Sequence, residues 1–252
     1  LAVLLGNGSA NASEHCEDTS DPRYDPSECE EPREKVRPSF SGDFQKGLTA
    51  YKSGNYATAL REWKPLAERG DAVAQSRLGA IYQYGISVPQ DDKTAVKWYR
   101  LAAEQGNADA QYNLGVMYER GRGVPQDDET AVKWYRLAAE QGNASAQSNL
   151  GVMYDLGTGV PQDYKTAVKW YRLAAEQGYA RAQSNLGYMY VKGQGVIQDK
   201  VYAHMWWNIA ASSGHKDLVK KRDIIAKQMT PSQLEKAQDL ARECVRKKYK
   251  GC

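Results

Sequence analysis

Three histidines, His15, His204 and His215, are the only side chains in this 252-residue chain that ordinarily titrate near neutral pH. None has a carboxylate or nucleophile at a spacing that suggests a catalytic set. Ser213-Gly214-His215-Lys216 matches Ser-x-x-Lys, the nucleophile element of serine β-lactamases. That mechanism also needs Ser-Asp-Asn and Lys-Thr-Gly, and neither occurs. Segments such as Gly121-Arg122-Gly123 are followed by Val124-Pro125, not by Lys-Ser/Thr, so they read as turns and not as phosphate cradles. His15, Cys16 and Cys29 do not have the spacing of a zinc finger. The expectation is a non-enzyme with no catalytic residue, no metal and no cofactor.

The four cysteines lie outside the middle of the chain, as Cys16 with Cys29 and Cys244 with Cys252. Three pairings are possible, and local pairing within each end is the simplest. Such usage fits an oxidising compartment. The first residues agree with it: apolar Leu1-Ala2-Val3-Leu4-Leu5, then Ala10-Asn11-Ala12, resemble the end of a secretory signal cleaved after Ala12. No stretch is long enough for membrane insertion. The net charge of +3 is too small to imply nucleic acid. It is unevenly placed: residues 1–40 carry nine acids and four bases, and residues 215–252 carry eleven bases and five acids.

The middle of the chain is a repeat. The twelve residues from Ala95 to Gly106 recur unchanged at 131–142 and 167–178, a period of 36. Degenerate copies flank them, with Ala59, Trp63, Ala67 and Gly70 before, and Ala203, Trp206, Trp207, Ala210, Ala211 and Gly214 after. A second segment alternates with the first, as at 74–82, 110–118, 146–154 and 182–190. Ala95, Tyr99, Ala102 and Ala103 share one helical face, as do Ala110, Leu114 and Tyr118. Asp91, Asp127, Asp163 and Asp199 stand at N-cap positions. Gly106, Gly142, Gly178 and Gly214 stand where helices stop. Each unit therefore reads as a helix, a turn of about seven residues and an antiparallel helix, with Gly115, Gly151 and Gly187 letting the partner helix approach.

The pattern Ala-x-x-x-Leu-Gly-x-x-Tyr-x-x-Gly-x-Gly-Val, then Asp-x-x-x-Ala-x-x-Trp-Tyr-x-x-Ala-Ala-x-x-Gly, resembles the Sel1-like repeat family, a relative of the tetratricopeptide repeat. The departures are Ile86 and Ser87 at the first turn and Ile197 in place of proline. The resemblance implies an all-α fold, a right-handed α-α superhelix (solenoid) of antiparallel hairpins. Its units would be 71–106, 107–142, 143–178 and 179–214. A tetratricopeptide-like unit at 41–70 precedes them, behind an acidic leader at 13–40. A basic helical cap at 215–252 follows, with a helix start at Thr230-Pro231-Ser232-Gln233 and Leu234, Ala237, Leu240 and Ala241 turned inward.

The resemblance also implies where a partner would sit. Stacked hairpins make a long concave surface, lined in this family's relatives by the first helix of each unit. The positions so implied are Arg77, Tyr84, Tyr112, Asn113, Arg120, Asn149, Asn185, Tyr188 and Lys192, a groove for a peptide. The Asn113, Asn149 and Asn185 amides each offer donors and an acceptor for a peptide backbone, or else bond the neighbouring helix. Lys97/Arg100 and its copies Lys133/Arg136 and Lys169/Arg172 read as a solvated basic stripe on the second helices, near Glu104, Glu140 and Glu176. The expected function is a monomeric protein-interaction scaffold of the periplasm or cell exterior. Alternatives are a binder of envelope polymer such as peptidoglycan, or a β-lactamase-like hydrolase, since some secreted members carry such descriptions.

Overall fold

A computed structural model describes residues 42–252 apart from 213 and 215. The signal-like segment, the acidic leader, His15, Cys16, Cys29, Ser213 and His215 lie outside the described residues. Twelve helices and no strand occur among the described residues. They are α1 (Phe44–Lys52), α2 (Tyr56–Glu68), α3 (Ala72–Tyr84), α4 (Asp92–Glu104), α5 (Ala108–Arg120), α6 (Asp128–Glu140), α7 (Ala144–Leu156), α8 (Tyr164–Ala175), α9 (Ala180–Lys192), α10 (Lys200–Ala211), α11 (Lys216–Ala226) and α12 (Pro231–Arg246). Each helix packs on the next, except that α12 returns to α10, so the chain is a stack of hairpins.

Local chemistry sets the helix boundaries where the pattern places them. Asp91, Asp127, Asp163 and Asp199 each accept backbone N–H groups from the first turn of α4, α6, α8 and α10. The hydroxyls of Thr94, Thr130 and Thr166 donate to the same aspartates at 2.6–2.7 Å. Those hydroxyl bonds, then the backbone bonds, hold the Asp91, Asp127 and Asp163 carboxyls below the usual range. The caps therefore stabilise the fold above the ordinary carboxylate pKa and are lost as pH falls through the depressed folded values. Seven residues, 121–127, join α5 to α6. Gly123 sits at φ +70°, where an added Cβ would overlap the Asp92 carbonyl at the start of α4 in the preceding unit. At the first turn Ser87 adopts φ 59°, the same left-handed conformation without glycine's freedom.

The core is built on one contact made five times. Trp63, Tyr99, Tyr135, Tyr171 and Trp207 recur every 36 residues on the even helices α2 to α10. Each lies against a glycine on the preceding helix: Gly47, Gly79, Gly115, Gly151 and Gly187. A Cβ at Gly115 or Gly151 would stand 2.6–2.7 Å from the tyrosine ring, inside any real contact. Tyrosine fills the middle of the stack, and tryptophan takes both ends. There the indole N–H donates to a backbone carbonyl, Trp63 to Phe44 at 3.2 Å and Trp207 to Ser184 at 3.0 Å.

Polar rivets join the hairpins. Gln75, Gln111, Gln147 and Gln183 are buried, and each donates to the carbonyl of Ala67, Ala103, Ala139 or Ala175 at the end of the preceding helix. The first three also accept from Gln105, Gln141 and Gln177 of the following helix at 2.7–2.8 Å. One side chain thus bonds two successive even helices, which fixes the step between units.

At the far end, α12 begins with the expected capping box: Thr230 and Gln233 bond reciprocally, with Pro231 at the first helical position. Ala237 and Ala241 are buried, and Leu234 and Leu240 are half-buried. The separate helix α11 was not anticipated. After α12, Lys248 and Tyr249 take positive φ and turn the tail back, so that Tyr249 packs beside Gly178. Cys252 then meets Cys244 with sulfurs 2.09 Å and Cα atoms 5.6 Å apart, the local pairing expected at this end.

Candidate docking face

One face of the odd helices α3, α5, α7 and α9 repeats four times and mixes exposed with covered side chains, since Val116 is buried and Ala80 and Val152 are half-buried. Counting from Val73, Asp109, Ser145 and Arg181, it runs through positions four, seven and eleven residues later, which is one face of an α-helix. The stripes are laterally joined. Asn143 at the start of α7 donates to Asp109 of α5 at 3.2 Å, and Arg181 of α9 donates to Asn149 of α7 at 3.2 Å.

The nine expected groove residues divide on this face. Arg77, Tyr84, Arg120, Tyr188 and Lys192 are exposed, whereas Tyr112, Asn113, Asn149 and Asn185 are half-buried. The difference comes from the tyrosines underneath. Tyr99, Tyr135 and Tyr171 pass below the odd helices, and their hydroxyls reach Gln83 (2.6 Å), Glu119 (a short bond) and Asp155 (3.3 Å). Asn149 donates to the Tyr135 hydroxyl at 3.1 Å while accepting from Arg181. Asn185 likewise bonds the Tyr171 hydroxyl. Two of the three amides therefore brace the stack, and Asn149 has only part of its bonding capacity left for a ligand.

Burial, then the neighbouring carboxylates, raises the Tyr135 and Tyr171 hydroxyls far above the usual phenol range, so they remain protonated donors. Burial also raises the Asp155 carboxyl, and the Tyr171 hydrogen bond only partly opposes it. Three residues that bond on this face were not anticipated: Glu119, Asp155 and Arg181. Arg181 was within reach of the sequence, since it stands four residues before Asn185 on the same stripe. Glu119 and Asp155 gave no periodic signal because the same position is Gln83 in the first unit and Val191 in the last.

The even helices present a different surface. Lys97, Lys133 and Lys169 are exposed as expected. The arginines beside them do not form a free stripe: Arg100, Arg136 and Arg172 donate to the hydroxyls of Tyr118, Tyr154 and Tyr190 on the next helix at 2.7–3.3 Å. Their guanidinium groups serve the stacking of units. Among the described residues no cluster of His, Cys, Asp and Glu could hold a metal ion, and no helix is long and apolar enough to cross a membrane.

Comparison with known proteins follows the same repeat. The Sel1 repeat family matches at residues 72–107, 108–143, 144–179 and 180–215. A Sel1 repeat protein from Oxalobacter formigenes is 34% identical, with a TM-score of 0.64, and the match covers 80% of this chain and 75% of that one. The protein c5321, a protective antigen present in uropathogenic Escherichia coli strains displaying an SLR fold, is 31% identical with a TM-score of 0.54. That match covers 83% of this chain and 55% of c5321, so this chain spans little more than half of its length. No curated protein matches. With four consecutive units matched and the same hairpin stack in both relatives, this chain belongs to the Sel1 repeat family.

Proposed function

We propose that the chain is a protein-interaction scaffold that holds a peptide or protein segment across the exposed face of α3, α5, α7 and α9. One observation carries this reading. The buried positions of the repeat are nearly invariant from unit to unit, while this stripe varies and leaves large side chains in solvent. Tyr84 is 65% and Leu156 66% exposed, beside the cations Arg77, Arg120 and Lys192. Exposed aromatic and aliphatic anchors among arginines are the composition of a docking surface. The even helices offer a more uniform side, with Leu101, Leu137 and Leu173 in the same place each time. A location in the periplasm or outside the cell belongs to the same proposal, and the Cys244–Cys252 pair supports it.

The test is an unbiased peptide-display selection on the full chain, with hydrogen exchange to locate the bound peptide. Protection confined to the odd helices, lost in Arg120→Glu combined with Leu156→Ser, is expected. Selected peptides that protect only the even helices would sink the reading. Asn149→Ala is a poor probe here, because it also frees Tyr135 and Arg181.

A further inference from the structure

Tyr179 is the N-cap of α9, and its side chain makes no bond to the first turn. At the same place α3, α5 and α7 have Asp71, Asn107 and Asn143, each of which accepts a backbone N–H. A missing cap leaves first-turn donors without a partner and weakens a helix start. Arg181 stands in that turn as well, a cation at the positive end of the helix dipole. By its own residues α9 therefore begins less securely than the three helices before it. Yet its first turn holds a place on the shared face, where Arg181 bonds Asn149 of α7.

The joint before α9 differs from the others in a second way. Gly70, Gly106 and Gly142 precede α3, α5 and α7, and an added Cβ at any of them would meet nothing. An added Cβ at Gly178 would stand 3.1 Å from the Tyr249 ring. The tail that follows α12 thus covers the one start among these four that lacks a side-chain cap. Tyr179, Tyr249 and Cys252 all pack on one core cluster, which includes Ala182, Leu186 and Cys244.

The tail keeps this place against its own backbone. Lys248 and Tyr249 sit at φ 50° and 66°, left-handed conformations that cost energy in residues with a Cβ. Ordering the tail costs further chain entropy. The bond from Cys244, buried in α12, to Cys252 closes the chain across these two residues.

We propose that the Cys244–Cys252 disulfide is a redox latch: closed, it seats Tyr249 at Gly178 and steadies the first turn of α9, and opened by a dithiol it releases both. One thiolate of the reductant attacks the sulfur of Cys252, the more accessible of the two, and Cys244 leaves as a thiolate and takes a proton. The second thiolate of the reductant then closes the reductant's own disulfide and frees Cys252, which is protonated in turn. Two electrons and two protons pass from the dithiol to the protein. Arg181 lies in the released turn, so the latch reaches the face of the odd helices whether or not a segment docks there.

Hydrogen exchange on the full chain tests this. The Gln183 amide, which bonds the Tyr179 carbonyl at 3.1 Å, is read against the Gln147 amide, which bonds the Asn143 carbonyl at 2.9 Å. Dithiothreitol should speed exchange at Gln183 about fivefold, the effect of one lost helix cap, and leave Gln147 unchanged. Cys244→Ala combined with Cys252→Ser should show the faster exchange without reductant and no further change with it, which excludes a contribution from Cys16 and Cys29. Tyr249→Ala should speed Gln183 with all four cysteines intact. Tyr179→Asn supplies the cap that the earlier units have and should abolish the response to dithiothreitol. Exchange at Gln183 that ignores the reductant, a response of equal size at Gln147, or a response that survives Tyr179→Asn or the double cysteine variant would overturn the latch.

Discussion

The row Gly79, Gly115, Gly151 and Gly187 differs from the row Tyr84, Arg120, Leu156 and Lys192 in one respect that organises the molecule. The first row is identical in all four units and buried against a ring each time. The second changes at each step and faces solvent. Both lie on the same helices, five residues apart. The buried row meets the same environment in each unit, because each hairpin stacks on a copy of itself. The exposed row meets solvent, and under the proposed docking it would meet a bound segment that need not repeat. Periodicity in this chain marks what holds the stack together, and the proposal reads its interruption as the place where the chain can be selective.

The largest break in that contrast should come from Gly151→Val. Its side chain would enter the Tyr171 ring, and overpacking of this kind costs about 3 kcal/mol. Urea denaturation should show the loss, whereas Leu156→Ser on the same helix should leave stability within about 0.5 kcal/mol of the parent. A comparable cost for the two would erase the distinction between the rows.

Gln147→Ala should cost about 2 kcal/mol, since it removes two hydrogen bonds worth about 1 kcal/mol each, to the Ala139 carbonyl and from the Gln177 amide, while the Gly142 N–H still serves Ala139 and the Gly142 carbonyl still serves Gln177. Gln162→Ala, whose amide bonds Asp155 on the surface, is the matched control and should have little effect. If the rivet sets the step between units, hydrogen exchange in the buried-residue variant will rise on both sides of α7.

Ser87→Gly should act in the opposite direction. It relieves a left-handed serine and should stabilise the protein by about 1 kcal/mol, seen as a higher Tm. A lower Tm would mean that the serine side chain contributes more than its backbone conformation costs.

Asp155→Asn gives the smallest expected effect and tests the layer between the rows. Burial raises this carboxyl, so its charged form is penalised in the fold at neutral pH. The parent should therefore gain stability, relative to the asparagine variant, as pH falls from neutral through the raised folded value toward the ordinary carboxylate pKa. Chemical denaturation at neutral and mildly acidic pH would show the parent's stability rising relative to the variant's, and a relative fall would contradict the sign.

Much of this architecture was legible before any coordinates. Helix caps at Asp91, Asp127, Asp163, Asp199 and Thr230 depend on a side chain and the backbone two or three residues away, so sequence alone carries them. Hairpin order and the role of Gly115, Gly151 and Gly187 follow from a repeat that cannot bury its faces alone. Tertiary structure decided the partners of side chains that reach between units. Arg100, Arg136 and Arg172 look like surface cations until the next helix brings a tyrosine hydroxyl to each. Asn149 and Asn185 look like free amides until tyrosines from the even helices pass beneath them. The invariant glycine row could therefore be read from the residues themselves. Of the variable row, sequence settled which residues lie on it, and packing settled that all four stand free, because a side chain's solvent exposure depends on how closely helices far apart in the chain approach.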